Sequence, residues 1–299
     1  MSGQRTVAVY GLGNMGYLIA ERIARHFPVK VSDLDRQALA RAREHFDAVA
    51  IEAPDDLAGV DVVVLSLPSP AISRAVVQRI VPHLARGAVL VETSTVNPSD
   101  IQALEALLAP QGVELVDASV LAGVGQMAAG TAALAVGGSP RALDAAQAVL
   151  DAIAPRQIRF GELGAGAAAK VINNAVAHAV MVVVAEAGAM ATAAGVACDQ
   201  LIAMLCDAQM GIQRPLTHRY AERILEGNYA GGMPLDAARK DSVLALELAQ
   251  SLGVPLFAIQ GSHSVYEMAA RAGYGRDDYA AVAKLWADWG KPTVPQAAG

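Results

Sequence analysis

Cysteine is almost absent from this chain of 299 residues, which has only Cys198 and Cys206. Neither stands at metal-ligand spacing, and no cluster of His or Cys lies beside them. This excludes a disulfide scaffold and a thiolate metal centre, so no metal is expected and the thiols read as reduced, in a cytoplasmic protein. A surplus of positive charge is missing too. Lys and Arg number 23 against 29 Asp and Glu, a formal net charge of -6. That balance offers no footprint to nucleic acid or to an anionic membrane. Long hydrophobic runs are also lacking. The most apolar stretch, 179–185, is bounded by His178 and Glu186. It is far too short to span a bilayer and is expected to be part of a buried core helix. No signal peptide is expected ahead of the first strand, and no repeat or Gly-, Ser- or Pro-rich linker divides the chain.

What is present is a globular composition, 54% hydrophobic and 17% charged, with enough residues for two domains and a sizeable core. Residues 6–10 (TVAVY) form a short apolar run of the kind buried on both faces of a parallel sheet. They lead straight into Gly11-Leu12-Gly13-Asn14-Met15-Gly16, then a helical pattern to about His26, then a second strand over 29–32. Strand, tight turn, helix and strand give GxGxxG its meaning as a dinucleotide fingerprint. Gly11 permits the turn, Gly13 lets the backbone approach a pyrophosphate, and Gly16 lets the helix pack on the strand. The helix N-terminus offers free N–H groups to the phosphates. Asp33 ends the second strand about twenty residues on, where a ribose-binding acid belongs. Its carboxylate would accept from a 2′-hydroxyl and repel a 2′-phosphate, which favours NAD over NADP. Arg36 is read as a solvated residue of the next helix.

Further strands are expected over 61–67, 87–92, 113–117, 132–136 and 157–160, with helices between them. Leu67 and Pro68, at a strand's carboxyl end, should pack beside the cofactor. The hydroxyls of Ser94 and Thr95 should face the same crevice. Asn97-Pro98 with Asp100, and Ser139-Pro140, read as helix starts. After about residue 160 the pattern is helical to about 290. The expected architecture is an α/β Rossmann-type doubly wound sheet over 1–162 plus an all-α C-terminal domain over 163–299. A long interdomain helix at about 164–192 joins them. That helix reads GAGAAAKVINNAVAHAVMVVVAEAGAMAT and has no proline. Lys170 and Asn174 are four apart and share one face. Burial would lower the lysine pKa and suit it to proton transfer. The plainer alternative is a lysine that snorkels to the surface beside a capping asparagine.

Together, GLGNMG, Leu67-Pro68, Ser94-Thr95, DASVLAGVGQMAAGT, GAGAAAKVINN and Lys240-Asp241 resemble the β-hydroxyacid dehydrogenases. Residues Gly275 to Asp278 fit that family as well. The 3-hydroxyisobutyrate dehydrogenases and tartronate semialdehyde reductases belong to it, and 6-phosphogluconate dehydrogenase is similar. The resemblance implies that Lys170 is the catalytic acid/base and that Asn174 hydrogen-bonds the substrate. It implies that Lys240 is a cofactor-site lysine oriented by Asp241. It makes Gly123 the last glycine of a segment that holds a substrate carboxylate through backbone N–H groups. It also implies subunits meeting through the helical domain, hence a homo-oligomer acting on a small hydroxyacid or semialdehyde.

The departures are specific. Where the family reads Asp-x-Pro-Val-Ser-Gly-Gly, this chain reads Asp117-Ala118-Ser119-Val120-Leu121-Ala122-Gly123. Leu121 removes a hydroxyl and adds bulk, and Ala122 limits backbone approach. Ser119 lies on the same side as Leu121 and would supply the lost hydroxyl. Leu121 and Ala122 keep open a second reading, a reductase of bulkier carbonyls or imines. A third is a weakly catalytic NAD(P)-binding sensor. His178 continues the Lys170–Asn174 face and is read as a core or interdomain residue. Met233 would widen the pocket, Arg214 is read as a surface residue, and Trp286 and Trp289 as packing or interface residues.

Overall fold

The computed structural model describes residues 5–287, so Trp289 lies outside the described residues. The chain divides into two compact units, Met1–Ala175 and Val176–Gly299.

In chain order the first unit contains β1 (Val7–Tyr10), α1 (Asn14–Ala24), β2 (Val29–Ser32), α2 (Arg36–Phe46) and β3 (Val49–Ala50). Then come β4 (Val62–Leu65), α3 (Pro70–Ile80), β5 (Val89–Glu92), α4 (Pro98–Leu108), β6 (Glu114–Leu121) and α5 (Val124–Ala129). β7 (Ala133–Gly137), α6 (Pro140–Ile153) and β8 (Arg156–Gly161) complete the sheet layer. The eight strands form one sheet in the order β3-β2-β1-β4-β5-β6-β7-β8. All neighbours are parallel except β6 and β7. This is the expected doubly wound sheet.

Strand residues sort by parity onto two cores. Val7, Val9, Val62, Val64, Val89 and Val91 pack on one face, in a cluster that includes Ile19 and Ile23 of α1 and Leu143 and Val149 of α6. Ala8, Tyr10, Val63, Leu65 and Leu90 pack on the other, with Val77 of α3 and Leu104 of α4. Burial on both faces is why these strands read as unbroken apolar runs. The predicted helix starts are present. Ser139 Oγ accepts from Ala142 N–H at 3.1 Å, and Asp100 accepts from Asn97 N–H at 2.9 Å.

β3 has no counterpart in the sequence reading, because two residues with Val49 exposed are too short to show a period. β6 runs four residues past its expected end at Asp117. Antiparallel pairing with β7 extends it, matching Asp117 with Gly137 and Leu121 with Ala133. Sequence spacing carries no sign of a partner that arrives later in the chain.

α7 (Ala165–Ala193) begins in the first unit, α8 (Cys198–Cys206) follows, and a π-helical stretch spans Pro215–Ile224. α9 (Leu235–Leu252) and α10 (Ala258–Ala269) come next. The division between the two compact units falls inside α7. Its first turn is part of the first unit's core, with Ala167 fully buried there. In the second unit Glu186 accepts from the N–H groups of Phe257, Ala258 and Ile259 at 2.7, 2.8 and 3.0 Å. Burial pushes the Glu186 carboxyl up, but the three N–H bonds outweigh it and hold it below the usual range. Asp278, fully buried, pairs with Arg219 at 3.1 Å and Arg223 at 3.6 Å.

The expectation of a buried core helix needs correcting. Taken whole, α7 has 29 residues and a mean hydropathy of 1.6 in its most apolar window, enough by length and composition to cross a membrane. Only 11% of that window is buried within the chain. Its apolar character calls for a cover that the described residues do not supply. Lys170, Asn173, Asn174, His178 and Glu186 interrupt it, and each would be costly in a bilayer.

Candidate functional site

The order of strands reverses between β1 and β4, with β2 and β3 laid down on one side and β4 and β5 on the other, and there an open α/β sheet binds ligands beyond its carboxyl ends. A cavity of about 870 Å³ opens there. It is lined by Gly11, Gly13, Asn14, Met15 and Gly16 at the start of α1, by Ser32 and Asp33 after β2, and by Ser66, Leu67 and Pro68 after β4.

The turn is shaped as the glycines require. Gly11 has φ +94°, and a Cβ there would fall on the Ser66 carbonyl oxygen. A Cβ on Gly16 would fall on the Gly11 carbonyl oxygen. At Gly13 a Cβ would meet nothing within 4 Å, so the cradle beside the backbone is open. No side chain caps α1, and its first helical bond runs from Tyr17 N–H to Gly13 C=O. The N–H groups of Asn14, Met15 and Gly16 therefore have no partner within the helix. Leu12 is buried and contributes through its backbone, its N–H donating to Asp33 Oδ2 at 2.5 Å. Asp33 Oδ1 accepts from Asp35 N–H at 2.7 Å. The carboxylate is thereby aimed from two sides. An open cradle, unpaired amides and an oriented carboxylate fit a dinucleotide.

The far wall was missed at the level of sequence. Ala71, Ile72, Ala75, Val76 and Arg79 of α3 line the cavity. Their helical spacing was visible, but an apolar stripe does not say whether it faces a core or a ligand. Tyr10 closes the floor; burial pushes its phenol up to about 12, with the Arg79 guanidinium opposing. A second cleft, of about 1180 Å³, shares Asp33 and Leu34 and is lined by Arg36 and Arg43.

Ser94 and Thr95 depart from expectation. Ser94 is buried and its Oγ accepts from Leu67 N–H at 2.8 Å, so it fastens the wall instead of facing the crevice. Thr95 is exposed but does not line the cavity.

Ser119 is also corrected. It is 1% exposed and its hydroxyl donates to the Ser94 carbonyl at 3.4 Å. It is turned into the sheet and does not replace the hydroxyl lost at Leu121. Leu121 and Ala122 are half-buried, and Gly123 is exposed. The Gly123 N–H donates to Gln126 Oε1 at 3.0 Å, so a side chain of this protein occupies the amide expected to hold a carboxylate.

Lys170 is half-buried on α7 and has no ion-pair partner among the described residues. Burial alone holds its ammonium below the usual lysine range. Asn174 is half-buried one turn on. The first turn of α7 is held by Asp117 of β6, which accepts from Gly164 N–H at 2.8 Å and Ala167 N–H at 2.7 Å.

In the second unit Lys240 pairs with Asp241 at 2.8 Å, both more than half exposed. His178 is exposed, correcting the core reading, and Arg214 is exposed as expected. Met233 is half-buried in the loop ahead of α9.

Residues 6–164 match the profile of the NAD binding domain of 6-phosphogluconate dehydrogenase. Residues 164–286 match that of the NAD-binding domain of NADP-dependent 3-hydroxyisobutyrate dehydrogenase. The chain is 30% identical to an L-threonate dehydrogenase of Pectobacterium atrosepticum, covering 94% of this chain and 93% of that one. It is 27% identical to the mitochondrial 3-hydroxyisobutyrate dehydrogenase of Rattus norvegicus, over 94% and 87%. An imine reductase from Myxococcus stipitatus, in complex with NAD+, superposes with a TM-score of 0.84 at 18% identity, over 94% and 99%, a likeness of fold. With both halves matched and its relatives named dehydrogenases, the chain belongs to the β-hydroxyacid dehydrogenase family and is an NAD(P)-dependent oxidoreductase acting on a hydroxyl-bearing carbon.

Proposed function

We propose that this protein interconverts a small hydroxyacid and the corresponding semialdehyde or keto compound, with Lys170 as the proton donor and acceptor. The observation that carries this is Lys170 itself. It is an amine with no ion-pair partner among the described residues, depressed by burial, one turn from Asn174 on a largely apolar helix. In oxidation the neutral amine takes the hydroxyl proton. In reduction the ammonium returns it to the carbonyl oxygen. Asn174 holds that oxygen and fixes its direction. When bound, a nicotinamide would supply the hydride for reduction and take it up in oxidation. The oriented Asp33 carboxylate supports NAD, because a 2′-phosphate would meet its charge.

One observation favours a second reading. Leu121 and Ala122 stand where the family has Ser-Gly, and Gln126 takes the Gly123 N–H. A segment so arranged suits a bulkier or less acidic carbonyl, or an imine. Turnover of NADH and NADPH with short semialdehydes, bulky keto compounds and cyclic imines separates the two. Oxidation of NADH with a short semialdehyde is the expected result. Turnover confined to uncharged or bulky substrates replaces the first reading with the second, and a preference for NADPH rejects the role given to Asp33.

The uncovered apolar surface supports a homo-oligomer. Ile172, Met181, Ile202, Leu216, Leu225 and Phe257 are each exposed by half or more. A soluble monomer rarely leaves so much apolar surface in water. Light scattering on the eluting protein should give at least a dimer, and Met181→Lys with Leu216→Lys should shift it to smaller species. A wild-type monomer would reject this.

A further inference from the structure

We propose that Asp117 is a positioning residue for the proton-transfer step, setting the place of Lys170 relative to the substrate segment. This rests on the reading of Lys170 given above.

Asp117 is fully buried in β6, two residues before Ser119, where the segment 119–123 begins. A buried carboxylate is costly unless its oxygens are hydrogen-bonded. Here each oxygen takes one amide at the start of α7: Gly164 N–H at 2.8 Å and Ala167 N–H at 2.7 Å. These are the groups an α-helix leaves unpaired at its beginning. A residue 47 positions upstream thus caps the helix, where a local side chain usually does so.

The surroundings are cut to admit the carboxylate. A Cβ on Gly166 would lie 2.7 Å from Asp117 Oδ2, and a Cβ on Gly137 would lie 2.7 Å from Oδ1. Two glycines, one on α7 and one on β7, leave the space it fills. Lys170 follows three residues after Ala167, on the next turn of the same rigid helix. One carboxylate therefore joins the strand that leads to the substrate segment and the helix that carries the amine. The depth of the amine depends on where that helix begins. Burial is what lowers its pKa, and among the described residues no ion-pair partner stands beside it. Loosening the clamp should let the ammonium reach water.

The test is Asp117→Asn, close in shape but with one oxygen replaced by a donor facing an N–H. Asp117→Ala and Lys170→Ala are made beside it. NADH affinity should stay within about threefold, since the cradle at Gly11–Gly16 is untouched. kcat should fall about 10- to 100-fold, the scale of a displacement near 1 Å. The pKa governing kcat in oxidation should rise toward the ordinary lysine range. A wild-type kcat, or a lowered kcat with the pKa unmoved, overturns the proposal. If Lys170→Ala retains turnover, the reading beneath it fails, and that result is distinct. Hydrogen exchange on the wild-type protein adds a check that needs no variant. The Gly164 and Ala167 amides should be protected as well as those of β6, and fast exchange at either overturns the clamp.

Discussion

Lys170→Ala is expected to lower kcat by about 10²- to 10⁴-fold, the range that a positioned proton donor contributes. NADH should bind as before, because Lys170 does not line the cavity at the start of α1. Lys170→Arg should not restore turnover, since a guanidinium does not give up its proton in this pH range. The pH profile of the wild type carries the same information. Burial lowers the Lys170 pKa, so in oxidation kcat should rise with pH as the ammonium loses its proton and level off at a lower pH than an ordinary lysine would give. In reduction, where the ammonium is the donor, activity should fall over the same interval. Both limbs should vanish in Lys170→Ala. A variant with near wild-type kcat and an unchanged profile would remove Lys170 from the mechanism.

The second large effect is a contrast between two glycines of the turn. Gly11→Ala places a methyl group on the Ser66 carbonyl and forces a side chain to φ +94°. Left-handed backbone costs about 1–3 kcal/mol, and overpacking costs about 1–3 kcal/mol more. The loop must move away from β4, so the variant should melt lower and bind NADH at least about 100-fold more weakly. Gly13→Ala meets nothing within 4 Å. Its melting temperature should match wild type, yet its methyl group would stand in the open cradle. NADH affinity should fall on the order of tenfold. Calorimetry and fluorescence titration of both variants check this. Equal melting losses at the two positions, or full NADH affinity in Gly13→Ala, would mean that the dinucleotide does not lie against this turn.

What could be read in the sequence was what is local along the chain. The run from Thr6 to Asp33 is legible because turn, helix and strand follow one another at fixed spacing. Lys170 and Asn174 share a face because four residues make about one helical turn. The Gly123–Gln126 contact, three residues apart, was within reach as a capping pattern and went unread.

Tertiary structure decided the rest, through partners distant in sequence. The antiparallel pairing of β6 with β7 turned Ser119 inward to the Ser94 carbonyl. The fold brought Asp117 to amides 47 and 50 residues away, and Glu186 to amides 71 to 73 away. It also left most of the apolar length of α7 uncovered by the described residues. The physical reason is common to all three. Hydrophobic period and turn chemistry act between near neighbours and show in the sequence, so the sequence alone determined the dinucleotide turn, the alternation of strand and helix and the placing of Lys170 on a helix. A buried polar group is satisfied by whichever backbone the fold brings to it, and an apolar face by whatever surface covers it, so tertiary structure alone decided what clamps that helix and how much of it stays bare.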